Sequence, residues 1–130
     1  VKLVPSIAAI ALLALSAAPA MAQGFTAEGN FARVNHRDGG EAGIGYRFGF
    51  GPLHVTPIVG GFLHSDEVDI YGKVEATATL LGIGEIGGGV RADDDDVNPY
   101  ATVAFTLAPL IYVKGNVGDD YYSAGLAVRF

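Results

Sequence analysis

Beyond residue 22, apolar side chains recur at every second position along nearly the whole chain, and most charged residues between the turns fall on the opposite parity. Eight runs of about ten residues carry this pattern: 24–34, 41–50, 53–64, 68–80, 82–92, 99–108, 110–118 and 121–130. A repeat of two sends alternate side chains to opposite faces of an extended strand, whereas a helix repeats near 3.6. Regular short strands separated by turn residues indicate an antiparallel sandwich or barrel.

Charge decides which face is inside. One parity holds Ala42, Ile44, Tyr46, Phe48 and Phe50 in the second run, and Ile70, Val74, Ala76, Ala78 and Leu80 in the fourth. It continues with Ala101, Val103, Phe105 and Leu107, then Ile111, Val113 and Val117. The opposite parity collects Glu28, Arg47, Lys73, Glu75, Glu85, Arg91, Lys114 and Arg129. If the charged face turned outward into lipid, each mid-depth Arg or Lys would cost about 2–4 kcal/mol. Turned inward, charges of both signs can pair with one another. The expected arrangement is therefore an oily exterior around a network of interior ion pairs. The third run is ambiguous, because His54, Thr56, Ile58 and Phe62 share a parity. Pro57 within it lacks a ladder donor, so a bulge or local break is expected there.

The connections alternate in character. Those after odd-numbered runs are NHRDGG, SDE, DDDDVN and DD; those after even-numbered runs are GP, L and P. Of the 14 acidic residues, 11 lie in or beside the first set, with Glu41 counted among these loop-edge residues. An up-and-down topology gathers that set at one end, as in a membrane barrel with polar outer loops and short inner turns. Eight strands of about nine residues account for most of residues 23–130, and the resulting barrel is narrow enough for side chains to fill.

The chain's beginning assigns a compartment. Lys2, the apolar stretch 7–18 and the small residues Ala20 and Ala22 form a secretory signal peptide over 1–22, leaving one domain over 23–130. That domain carries 7 basic and 14 acidic residues, a poor balance for nucleic-acid binding. The chain has no Cys, so no disulfide contributes.

The final run, YYSAGLAVRF, alternates Tyr122, Ala124, Leu126, Val128 and Phe130 on its oily parity. This stretch resembles the C-terminal signature of bacterial outer-membrane β-barrels. The resemblance implies that Tyr122, Leu126, Val128 and Phe130 serve as an assembly signal for the barrel-assembly machinery. Residues 23–130 as a whole resemble the small eight-stranded barrels of the OmpA transmembrane-domain and opacity-protein type. The expected fold is all-β: an eight-stranded antiparallel up-and-down transmembrane β-barrel in the outer membrane of a Gram-negative cell. Outer-membrane lipid and lipopolysaccharide are the expected partners.

Other motifs carry less. GIGEIG at 82–87 matches a dinucleotide-binding glycine pattern, but no helix follows to receive a pyrophosphate, and strand positions explain the glycines better. Asp93, Asp94, Asp95 and Asp96 could bridge a divalent cation; a solvated acidic loop is the plainer reading, and no metal site or cofactor is assigned. His64 and Ser65 are adjacent without a nucleophile motif, so no enzyme activity is expected. The favoured role is structural or surface-interactive, with the interior plugged by ion pairs. The alternatives are a narrow pore for small solutes or ions, and a soluble periplasmic barrel that binds an apolar ligand. The oligomeric state is left open.

Overall fold

The computed structural model describes residues 24–80, 83–94 and 96–130; the expected signal peptide and Asp95 lie outside the described residues. The strands are β1 (Phe25–Val34), β2 (Arg37–Tyr46), β3 (Phe48–Phe50), β4 (Leu53–His64), β5 (Glu67–Leu80), β6 (Gly84–Ala92), β7 (Val97–Ala108), β8 (Ile111–Gly118) and β9 (Tyr121–Arg129). Segments β2 and β3 lie end to end along β4 and act as one strand. Each strand pairs antiparallel with the next, and β9 returns to pair with β1 from Thr26↔Arg129 to Val34↔Tyr121. The result is a closed, up-and-down, eight-stranded barrel. Closure matters because a strand edge in a non-aqueous medium would leave backbone donors and acceptors unpaired.

Three of the four charged connections are tighter than expected, and the DD turn at 119–120 is as expected. NHRDGG is not a loop: β2 already begins at Arg37, and only Asn35 and His36 turn, with φ of 51° and 71°. Ser65 and Asp66 make an equivalent turn at φ 46° and 65°. Two-residue hairpins favour paired left-handed residues because their twist matches that of the strands, and Asn and Asp tolerate this geometry. Arg33 and Asp38 face each other across the first hairpin at 3.0 Å, extending the ladder. At Gly39 a Cβ would run into the Leu63 carbonyl oxygen, so this glycine serves the β2–β4 approach rather than a loop.

Pro57 disturbs its neighbour instead of its own strand. β4 runs past it in unbroken register with β5, from Leu53↔Ala78 to His64↔Glu67. On the other side β2 stops at Tyr46 and β3 resumes at Phe48 with the same offset, Gly45↔Ile58 and Phe48↔Val55. That offset sets Pro57 opposite Tyr46, where the missing N–H interrupts the ladder without a bulge. The Arg47 amide still donates to Gly24 O at 2.9 Å on the β1 side. A register shift does occur between β7 and β8, around Thr106 and Ala108.

Burial follows parity. In β4, Thr56, Ile58, Phe62 and His64 are buried while Leu53 and Leu63 are exposed, which settles the face of the ambiguous third run. Tyr46 and Phe48, on the parity expected to face lipid, are instead buried: Tyr46 packs edge-on against Phe25 at 4.8 Å and against Phe48 at 5.1 Å. Within the barrel, Val34, Ile58, Phe62, Tyr71, Tyr100 and Tyr121 form an apolar cluster. Gly43 and Gly60 make room for it, since a Cβ there would lie 2.8 and 2.6 Å from the Tyr71 hydroxyl.

Candidate functional site

The strand faces that look inward carry most of the chain's mid-strand charge. Lys73 of β5 and Arg91 of β6 are directly paired across the ladder, and both have zero exposure. Two cations so placed need anions from elsewhere in the barrel. Glu41 of β2 supplies one: its Oε1 accepts from Lys73 Nζ at 3.1 Å and its Oε2 from Arg91 Nε at 2.7 Å. Glu28 of β1 supplies a second, accepting from Lys73 at 2.8 Å and from Lys114 of β8 at 2.8 Å. Lys114 also donates to Glu75 of β5 at 2.7 Å. Beyond Arg91, Asp93 accepts from its Nη1 at 3.0 Å.

Acid and base therefore alternate in one connected column: Glu75, Lys114, Glu28, Lys73, Glu41, Arg91, Asp93. Neutral donors add further bonds to these carboxylates. Tyr100 OH donates to Glu75 at 2.7 Å, Tyr121 OH to Glu41 at 2.9 Å, and Asn30 Nδ2 to Glu28 and Glu41 at 3.1 and 3.2 Å. Aromatic faces surround the cations, with Arg91 Cζ 4.6 Å from the Tyr71 centroid and Lys73 Nζ 5.4 Å from that of Tyr121. Buried charge is costly unless paired and hydrogen-bonded; each charged group of the column is paired, and Arg91 Nη2 is its one charged-group nitrogen without a hydrogen-bond partner among the described residues.

A second, separate cluster lies toward the end opposite the charged turns. Glu85 Oε2 accepts from Arg47 Nη2 at 2.6 Å and from Arg129 Nη1 at 2.5 Å, while its Oε1 accepts from Thr77 at 2.9 Å. Arg129 stacks over Tyr112, 3.7 Å from the ring centroid.

The structure thus brings together five of the eight charged residues singled out from sequence (Glu28, Lys73, Glu75, Arg91, Lys114) in the column, and the other three (Arg47, Glu85, Arg129) in the cluster. It adds two more, from the edges of the charged connections. Glu41, counted as a loop-edge residue, is 2% exposed and central to the column. Asp93, read as part of a solvated acidic run, is buried; it also closes its own turn by accepting from the Asp96 amide at 3.0 Å. Asp94 and Asp96 are exposed.

The other sequence candidates sit elsewhere. Tyr122, Leu126, Val128 and Phe130 alternate on the outside of β9 and its end, all substantially exposed. His64, the last residue of β4 before the Ser65–Asp66 turn, is buried, with its Nε2 2.6 Å from Asp69 Oδ2. His64, Glu67 and Asp69 bring potential ligand atoms within 4.8 Å of one another, although Arg37 Nη1 stands 3.8 Å from the same Asp69 oxygen and opposes a cation. Gly84 and Gly87 of the glycine pattern are strand residues of β6.

No family model matches the chain, and no curated protein matches it in sequence. Solved structures do match its fold. A designed transmembrane β-barrel aligns with a TM-score of 0.62 at 11% identity, covering 82% of this chain and 95% of the design. The outer-membrane protein Ail of Yersinia pestis, determined in a phospholipid bilayer nanodisc, aligns with a TM-score of 0.50 at 12% identity, covering 82% and 99%. At such identities the likeness is one of fold, a closed antiparallel β-barrel.

Proposed function

We propose that this chain is a small integral outer-membrane β-barrel with a structural or surface-interaction role, its interior plugged by the ion-pair column. One observation carries the reading. Lys73 and Arg91 are wholly buried while Phe31 is 82%, Ile44 58%, Ile70 58% and Val117 63% exposed. That is the reverse of a soluble barrel, and it fits a lipid-facing exterior with lipid and lipopolysaccharide around the apolar belt. Apart from β8 at 8 residues, the staves run from 9 to 14 residues, against the about 9–11 that a tilted spanning strand needs. An apolar ligand inside would meet ionised carboxylates and ammonium groups, which disfavours the soluble binding-module alternative.

The column favours a plug over a pore. Between it and the Arg47–Glu85–Arg129 cluster, the space lined by Thr56, Glu75, Glu85, Lys114 and Arg129 is about 10 Å³. That is near the minimum of about 10–15 Å³ for a single water, so a hydrated ion would have to part the pairs. The test combines cell fractionation, gel mobility with and without boiling, and planar-bilayer recording. The expected result is an outer-membrane protein whose mobility shifts on boiling and which gives no steady conductance. Steady conductance from the wild type would support the pore instead, and detergent-free solubility would sink the membrane reading.

The same proposal gives the outward residues of β9 a role as the assembly signal. The Phe130 backbone pairs with Phe25 in both directions, at 2.8 and 2.9 Å, and a substitution keeps those bonds. Phe130→Asp is therefore expected to lower folded protein in the outer membrane severalfold while purified chains still refold in detergent. Unchanged levels in cells would remove the signal reading.

A further inference from the structure

We propose that the barrel mouth opposite the charged turns holds a binding site for a phosphate group, between Arg47 and Arg129. A cavity of about 170 Å³ opens there, lined in part by Arg47, His54, Glu85, Thr106, Tyr112 and Arg129. It is far larger than the about 10–15 Å³ that one water needs. Its charge balance is the reverse of the column's. In the column, four carboxylates face three cations; here two guanidinium groups share a single carboxylate, and both use the same oxygen, Glu85 Oε2.

That sharing leaves donors over. A guanidinium carries five N–H groups. Glu85 takes one from each arginine, and its other oxygen is engaged by Thr77. Arg129 Nε and His54 Nδ1 are buried atoms with no hydrogen-bond partner among the described residues. An uncompensated buried donor is unfavourable, and an oxyanion in the cavity would supply acceptors for it. Tyr112, stacked under Arg129, holds the guanidinium plane in place. The Arg47 and Arg129 side chains are 17% and 15% exposed, so the mouth reaches them from outside. Planar forks of N–H donors match phosphate geometry better than they match a spherical halide.

A second cavity of about 170 Å³ borders the same two arginines on the barrel rim, beside Phe25, Leu110 and Phe130. The phosphate could therefore come from solution or from a lipid headgroup at that rim. The two sources share one chemistry and separate experimentally.

The test follows thermal unfolding of the folded chain in dodecylmaltoside micelles, which carry no phosphate. Inorganic phosphate should raise the midpoint above that in chloride at matched pH and ionic strength. Glu85→Gln removes a negative charge beside the ligand and should tighten phosphate binding by about tenfold or more, even where it lowers the phosphate-free midpoint. Arg129→Gln should abolish the phosphate effect. If that variant does not fold, His54→Gln, outside the ion pairs, should weaken binding severalfold. In galactolipid nanodiscs free phosphate should stabilise. If the effect disappears in phosphatidylglycerol nanodiscs, the headgroup fills the site; if it persists, the free ion does. No phosphate-specific rise in either the wild type or Glu85→Gln overturns the proposal, and it does so whether or not the barrel conducts.

Discussion

Glu41→Ala is expected to destabilise the folded barrel by about 3–5 kcal/mol, the usual cost of removing one partner from a buried ion pair. Glu41 is the only described carboxylate bonded to both Lys73 and Arg91, and it also accepts from Tyr121 and Asn30. Without it, two cations directly opposed across the β5–β6 ladder lose the charge between them. Lys73 keeps Glu28 and Arg91 keeps Asp93, which holds the loss below that of an isolated charge. Glu85→Ala should cost less, since its arginines lie at a partly open mouth and water can reach them. Asp94→Ala, on an exposed turn, should stay within about 0.5 kcal/mol of wild type. Urea unfolding in detergent, read by gel mobility, gives the order. Glu41→Ala unfolding alongside Asp94→Ala would mean that the column adds nothing to stability.

That prediction rests on a residue the sequence pattern had hidden. In the sequence Glu41 opens the second run directly after NHRDGG and so counts as an edge residue of that connection. Yet the parity that turns Arg47 inward turns Glu41 inward too, three alternations earlier on the same strand. Asp93 stands in the same relation to Arg91, two residues on. Both were legible by extending the alternation through the apparent loops. The hidden cause was the turn: paired left-handed residues at Asn35 and His36 let the strand begin at once. What no pattern could supply is the pairing. Lys114 meets Glu28 across 86 residues of sequence and Arg91 meets Glu41 across 50, because long side chains reach over the lumen between non-adjacent strands. The tyrosine hydroxyls that complete the column are likewise unreadable as partners, although Tyr100 shares the parity of Asn98 and Tyr121 that of Ser123. Alternation fixes a face; only closure of the barrel fixes who meets whom.

The outward face admits the other decisive measurement. Val103 lies midway along β7, between Ile86 and Gly115 on the flanking strands, and is 37% exposed. Val97 begins the same strand beside the charged turns, has the same parity and is 38% exposed. Surface accessibility therefore cannot distinguish the two positions; only depth along the barrel can. If a bilayer surrounds the barrel, Val103→Arg should cost about 2–4 kcal/mol and Val97→Arg about 0–1 kcal/mol, because an arginine near the interface reaches headgroups and water. In water both substitutions would replace an exposed apolar group with a solvated one, and both should fall within about 0.5 kcal/mol of wild type. Unfolding in phospholipid vesicles measures the difference directly. A gap of more than about 1 kcal/mol between the two variants requires a hydrocarbon layer at the height of Val103. Equal and small effects would return the apolar belt to water, and the interior charges would then need an explanation other than exclusion from lipid.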